Sequence, residues 1–259
     1  MELSEWAKAI LTAETLEEKL SCPALLTDEM PGPAIFWQEP ARPPGMHFNR
    51  RSKEEKLPSF QEHSDPDKRA ICLHRFAGHE LLAVEIMAFT LLAFPDAPKN
   101  FRKGVAHTLQ EEQGHVKLYM QRMEALGIRF GDLPLYRHFW NHTPHILSPL
   151  HYVSIMNLTF EMANLDFAPM YGKSFLHHGD LESAQLMGTI LRDEVSHVRF
   201  GWRWLCQFKK ENVNEWDAWE SILATTLLTP KRAKGFVIHE EPRQQAGIPS
   251  EWITKLSHL

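Results

Sequence analysis

Two stretches of the chain carry the same pattern, an acid followed by Glu-x-x-His: Glu111-Glu112-Gln113-Gly114-His115 and Asp193-Glu194-Val195-Ser196-His197. Residues three apart on a helix share a face, so Glu and His can hold one ion from a single turn. One such motif says little, because 15 histidines in 259 residues produce about one by chance. The arrangement carries the information. Glu80 precedes Glu112 by 32 residues, and Glu161 precedes Glu194 by 33. Both leading acids lie among apolar residues: Phe76, Ala77, Val84 and Met87 around Glu80, and Leu158, Phe160, Met162 and Leu165 around Glu161. A carboxylate there is costly to bury unless it is paired or bound to a cation. A further acid repeats, Glu85 five residues after Glu80 and Asp166 five after Glu161. The chain reads as two copies of one metal-binding hairpin, with buried salt bridges in a plain helical protein as the alternative. The offset of five turns Glu85 and Asp166 away from the ligand face, so they are expected to hydrogen-bond between helices.

The elements that must position these groups are four long helices. Apolar residues recur at helical spacing over residues 70–94, 101–126, 150–176 and 181–208. Pro95 and Pro98 separate the first two, Gly127 stops the second, and Gly179-Asp180 supplies a C′ glycine and an N-cap between the last two. Glu80 and Glu112 each lie about 14 residues from the turn joining the first pair, so both stand about 20 Å from the hairpin tip, at one height. The stretch 127–149 is too long for a tight hairpin and reads as a long crossover. Residues 2–21 read as a short N-terminal helix, with Thr15 and Glu18 at capping-box spacing marking a break. Residues 22–68 hold eight of the 17 prolines with Phe36, Trp37, Phe48 and Phe60, and are expected to be an ordered arm with Phe36 and Trp37 buried. Removing residues 1–68 is expected to leave a helical, iron-binding protein. After the core a helix is expected over 215–228, ended by Pro230 and followed by a polar tail. The division is therefore 1–68, 69–210 and 211–259.

Bulk properties bound the function. The net charge of −5 gives no electrostatic case for binding nucleic acid or a membrane. The basic run Arg50, Arg51 and Lys53 is followed by Glu54 and Glu55 and reads as a solvated loop. Cys22, Cys72 and Cys206 are too few and too scattered for a disulfide framework or a zinc motif, which points to a reducing cytoplasm. The longest apolar run, 81–94, is broken by Glu85 and too short to span a bilayer, and the first ten residues carry no export signal. His138, His142 and His145 are expected at the surface, His177-His178 as a helix cap, and Trp202 and Trp204 in the core.

The set Glu80, Glu112, His115, Glu161, Glu194 and His197 resembles the ligands of the ferritin-like diiron carboxylate superfamily. Within it, HELLAVE, FGDLP and DEVSHVRFGWRW resemble a bacterial ferritin-like family of unassigned function related to the MiaE tRNA hydroxylase. The resemblance covers roughly residues 70–210 and implies an all-α fold: a ferritin-like four-helix bundle with a long crossover, joined by the N-terminal helix, the arm and a C-terminal helix. It implies that Glu80 and Glu161 bind terminally, that Glu112 and Glu194 bridge or chelate, and that each histidine binds one metal. It further implies that Glu111 accepts the free N–H of His197 and Asp193 that of His115. Tyr119, four residues after His115, stands where radical-generating relatives carry a tyrosine, although a core tyrosine is the plainer reading. Its counterpart in the second half is Gly201.

Four carboxylates and two imidazoles suit two iron ions, with manganese or a mixed pair as alternatives. The expected activity is that of a diiron oxygenase or oxidase that uses O2 and an external electron donor to oxidise a small organic substrate. Ferroxidase-like iron or peroxide handling and a non-catalytic helical module are the rivals. The relation to a tRNA hydroxylase leaves RNA open as a substrate, against the acidic balance, and a homodimer is among the assemblies open to the chain.

Overall fold

The computed structural model describes residues 1–49 and 56–259, so Arg50, Arg51 and Lys53 lie outside the described residues. The fold is all-α. Among the described residues the β structure is one short parallel pair, β1 (Phe48–Asn49) with β2 (Leu135–Tyr136), and an isolated bridge between Glu2 and Thr27. The chain divides into two compact units, Met1–Thr143 and Pro144–Leu259.

The first unit is built on a hairpin of α3 (Pro66–Ala93) and α4 (Lys99–Glu124). Asp65 caps α3 by accepting from the Asp67 N–H at 2.9 Å, with Pro66 in the first turn where its missing N–H costs nothing. By length and composition α3 could cross a membrane, so the short apolar run understates the helix that contains it. Its most apolar window, mean hydropathy 1.5, is 94% buried inside the protein, as a core helix is. At its end, Arg102 of α4 donates to the Leu91 and Phe94 carbonyls, which would otherwise be left over at a helix C-terminus, while its other nitrogens grip Asp28 of the arm at 2.9–3.1 Å.

The N-terminal segment breaks where Thr15 sits, giving α1 (Leu3–Thr12) and α2 (Leu16–Lys19), with the Thr15 hydroxyl accepting from the Glu18 N–H at 3.2 Å. The arm then lies along the hairpin: Ile35 N–H donates to Leu92 O at 2.9 Å and Ala41 N–H to Leu11 O at 2.8 Å. Phe36 is not buried. It is 55% exposed, touching Phe89 and Phe94 by ring edges only, and Trp37 is half-buried with its indole N–H bonded to Glu39 O. The arm is held by polar groups instead. Glu85, fully buried in α3, is gripped by Lys19 at 3.0 Å and by Arg42. Burial pulls the Lys19 ammonium below its usual range, and the Glu85 charge opposes that shift.

The second unit holds a hairpin whose first limb changes winding twice: α5 (Pro149–Tyr152), a π-helical segment (Val153–Glu161), then α6 (Met162–His177). Gly179, at φ 80°, and Asp180, whose carboxylate accepts from Ser183 N–H at 2.9 Å, make the expected turn into α7 (Leu181–Phe208). The expected helix over 215–228 is shorter, α8 (Glu215–Leu223). The Thr225 and Thr226 hydroxyls bond back to the Ile222 and Leu223 carbonyls, and that local pairing competes with continued helix. The expected polar tail is folded, with a 3-10 turn at Pro230–Ala233, then α9 (Glu240–Gln245) and α10 (Ser250–Ser257). Trp252 of α10 packs with Trp202, Trp216 and Trp219 at centroid distances of 5.0–5.1 Å, and Arg243 of α9 pairs with Asp166.

Candidate metal centre

Within the first unit, Glu80 on α3 and Glu112 and His115 on α4 are all buried, and each offers one ligand-type atom within 4.8 Å of the others. Glu112 and His115 share a face one turn apart, with Oε2 and Nδ1 at 3.0 Å. Within the second unit, Glu161 closes the π segment, and Glu194 and His197 share a face of α7 with Oε2 and Nδ1 at 3.6 Å. These three are buried as well. Each set is two carboxylates and one imidazole, a donor chemistry that fits iron or manganese.

Carboxamides support the second set, and the sequence reading missed them. Asn157 Nδ2 donates to Glu161 Oε2 at 2.5 Å and to the His197 carbonyl at 3.2 Å. Asn164 Nδ2 donates to Glu194 Oε1 at 2.8 Å. Their signal was spacing alone, four before and three after Glu161. The acids ahead of each Glu-x-x-His sit differently. Glu111 keeps part of its side chain in solvent and lies 3.5 Å from His107 on its own helix, and Asp193 is half-buried. Tyr119 is buried and meets Phe76 edge to face, with ring centroids 6.1 Å apart. Of the loop histidines expected at the surface, His142 is buried and His138 half-buried, with His138 in ring contact with His79 and Phe139 and His142 in ring contact with His138.

Two titratable groups on α3 precede Glu80 by six and eight residues. His74 accepts from the Gly131 and Leu133 N–H groups at 3.0 and 3.4 Å, and burial pushes its imidazole down to about 4. It is a neutral acceptor that fastens the loop after α4 onto α3. Burial pushes the Cys72 thiol up to about 12, so it stays protonated.

The duplicated acids Glu85 and Asp166 bond between helices as expected, Glu85 of α3 to Lys19 of α2 and Asp166 of α6 to Arg243 of α9. Each thereby anchors a flanking segment of its own unit. Glu85 takes Lys19 and Arg42. Asp166 takes Arg243 and the Gly235 and His239 N–H groups at 2.8 and 2.7 Å.

The protein family described as of unknown function, DUF455, matches residues 3–254, nearly the whole sequence. The chain belongs to the DUF455 family. It is also similar to an uncharacterized protein of Haemophilus influenzae, 26% identical over 197 residues that cover 71% of this chain and 67% of that one. No solved structure matches the chain. The DUF455 match spans both hairpins that carry the candidate ligands as well as the arm and the C-terminal helices.

Proposed function

We propose that this DUF455 protein is an O2-dependent oxidoreductase whose Glu80, Glu112, His115, Glu161, Glu194 and His197 hold two metal ions, iron for preference, as in the ferritin-like diiron carboxylate superfamily it resembles. The observation that carries this reading is the duplication: a buried Glu, Glu and His in each of two helical hairpins, the first three with ligand atoms within 4.8 Å. Iron held there would supply the redox chemistry needed to reduce O2 and oxidise a small organic substrate. The chain's own groups do the rest. The carboxylates balance the metal charge, and burial excludes water from the reacting volume. Asp193 and Glu111 are proposed to accept the free imidazole N–H of His115 and His197, which fixes each ring's orientation. Tyr119, buried four residues after His115, would stand beside a metal held there, with core packing against Phe76 as its plainer role. The reductant is an external donor, and the three free thiols suit a reducing cytoplasm.

Anaerobic loading with Fe(II), metal analysis and O2 uptake with and without candidate substrates test the reading. The expected result is two iron equivalents per chain, separated by about 3.5–4 Å in X-ray absorption, with O2 uptake that rises when a substrate is present. Glu112→Ala and His197→Ala should each lose most of the metal. Retention of two equivalents by either variant overturns the ligand assignment. O2 uptake indifferent to every organic compound tried, with ferric iron accumulating, would assign iron handling instead.

A further inference from the structure

The two hairpins repeat their ligands but not the turn beside them. In the first, the residue four before Glu80 is Phe76 and the residue four after His115 is Tyr119, and their rings meet edge to face. In the second, the matching positions are Asn157 and Gly201. A Cβ added to Gly201 would stand 2.2 Å from the Asn157 Cβ, closer than real atoms approach, so α7 and the π segment meet at a separation only glycine permits. Across that contact Asn157 bridges the two ligand-bearing limbs. It donates to the Glu161 carboxylate on one and to the backbone carbonyl of His197 on the other. The Asn157 side chain is fully buried, and its Oδ1 meets no donor among the described residues.

The π winding that delivers Asn157 is itself secured. The Ser154 carbonyl accepts from the Thr159 hydroxyl at 2.7 Å and from the Trp219 indole N–H at 3.1 Å, the latter from α8. π segments are rare and concentrate where function needs a side chain moved off the regular helical position.

Resting on the dimetal reading, we infer that Asn157 is a positioning residue that fixes the Glu161 carboxylate and so makes the two metal positions unequal. One position is governed by an amide clamp and the other by aromatic packing. An N–H bond to one carboxylate oxygen leaves the other as the ligand atom. It also orders the side chain before the metal arrives, so the position is preorganised.

The test is an anaerobic titration of the full-length apoprotein with Mn(II) alone, followed by calorimetry and by the Mn(II) electron paramagnetic resonance signal. Wild type should fill in two resolved steps. Asn157→Asp keeps the shape, removes the donor and sets a carboxylate against Glu161. It should weaken one step by roughly 10–100-fold and leave the other within about twofold. Gly201→Ala, which pushes Asn157 away, should reproduce that split, and Asn157→Ala provides the same comparison should the aspartate variant not fold. Two equivalent sites in wild type, an unchanged isotherm in the variants, or equal weakening of both steps overturns the inference while leaving a dimetal protein. Failure of wild type to bind any metal instead overturns the dimetal reading, and the inference with it.

Discussion

Arg243 and Asp166 form an ion pair in which both side chains are wholly buried, tying α9 to α6 five residues beyond Glu161. Removing one partner strands the other charge in the interior. Arg243→Ala is therefore expected to cost about 3–5 kcal/mol, seen as a lower denaturation midpoint. An apolar double replacement, Arg243→Met with Asp166→Leu, should recover much of that loss. If Arg243→Ala melts like wild type, the C-terminal segment is not fastened at this point.

Deleting residues 1–68 removes both Lys19 and Arg42 from Glu85 and uncovers the face of α3 that packs against α1. The sequence alone suggested that the truncated protein would stay helical and bind iron. The lost ion cluster and the uncovered α3 face predict that it will not fold stably, seen as a loss of helical circular dichroism. A truncated chain that is as helical as the intact one would show the cluster to be incidental.

His74 gives stability a defined pH dependence. Its folded-state imidazole titrates at about 4 against an ordinary 6.5. The unfolded chain therefore takes up a proton first as the pH falls. Stability is full above about pH 6.5 and declines by roughly 3 kcal/mol on the way to pH 4. Urea titrations of wild type and His74→Leu at pH 7 and pH 4.5 should show the variant losing less between the two. Parallel losses would place the acid sensitivity elsewhere.

The thiols should separate by reactivity. Cys22 and Cys206 are exposed, whereas Cys72 is buried with its thiol held protonated. Ellman's reagent is expected to titrate two thiols in the native protein and the third only in denaturant. Rapid modification of all three would mean that α3 opens far more readily than its burial implies.

Asp193→Asn tests the proposed support of the candidate ligand histidines. A weaker acceptor there should lower metal affinity or turnover roughly 10–100-fold. A change smaller than twofold would return Asp193 to the ordinary solvated face of α7.

Much of this was legible because it is local. The helical period, the Gly179-Asp180 turn and the Thr15 cap each follow from neighbours in the chain, and so did the placement of Glu and His one turn apart. What escaped is long-range or geometric. Arg243 finds Asp166 across 77 residues, and a polar tail gives no sign of a buried arginine until its partner is known. The π winding at Val153–Glu161 leaves no mark in an apolar run that would be buried either way. Phe36 was expected inside because aromatics favour burial, but ring-edge contact satisfies part of it while the arm's backbone N–H groups, with Asp28 and Arg42, carry the attachment. Glu85 and Asp166 were visible as a repeat, although the partners that use them lie outside the repeated hairpins.

The contact between Gly201 and Asn157 also constrains how this sequence can drift. Any side chain at position 201 meets the Cβ of residue 157, which every residue but glycine possesses. Trimming Asn157 to a smaller side chain does not relieve the clash. Only a second glycine or a return of the π segment to ordinary winding would do so. Relatives that carry alanine or larger at the position of Gly201 are therefore expected to lack the asparagine or the π winding, so that a single backbone glycine serves as a readable marker for the geometry of the candidate ligand beside it.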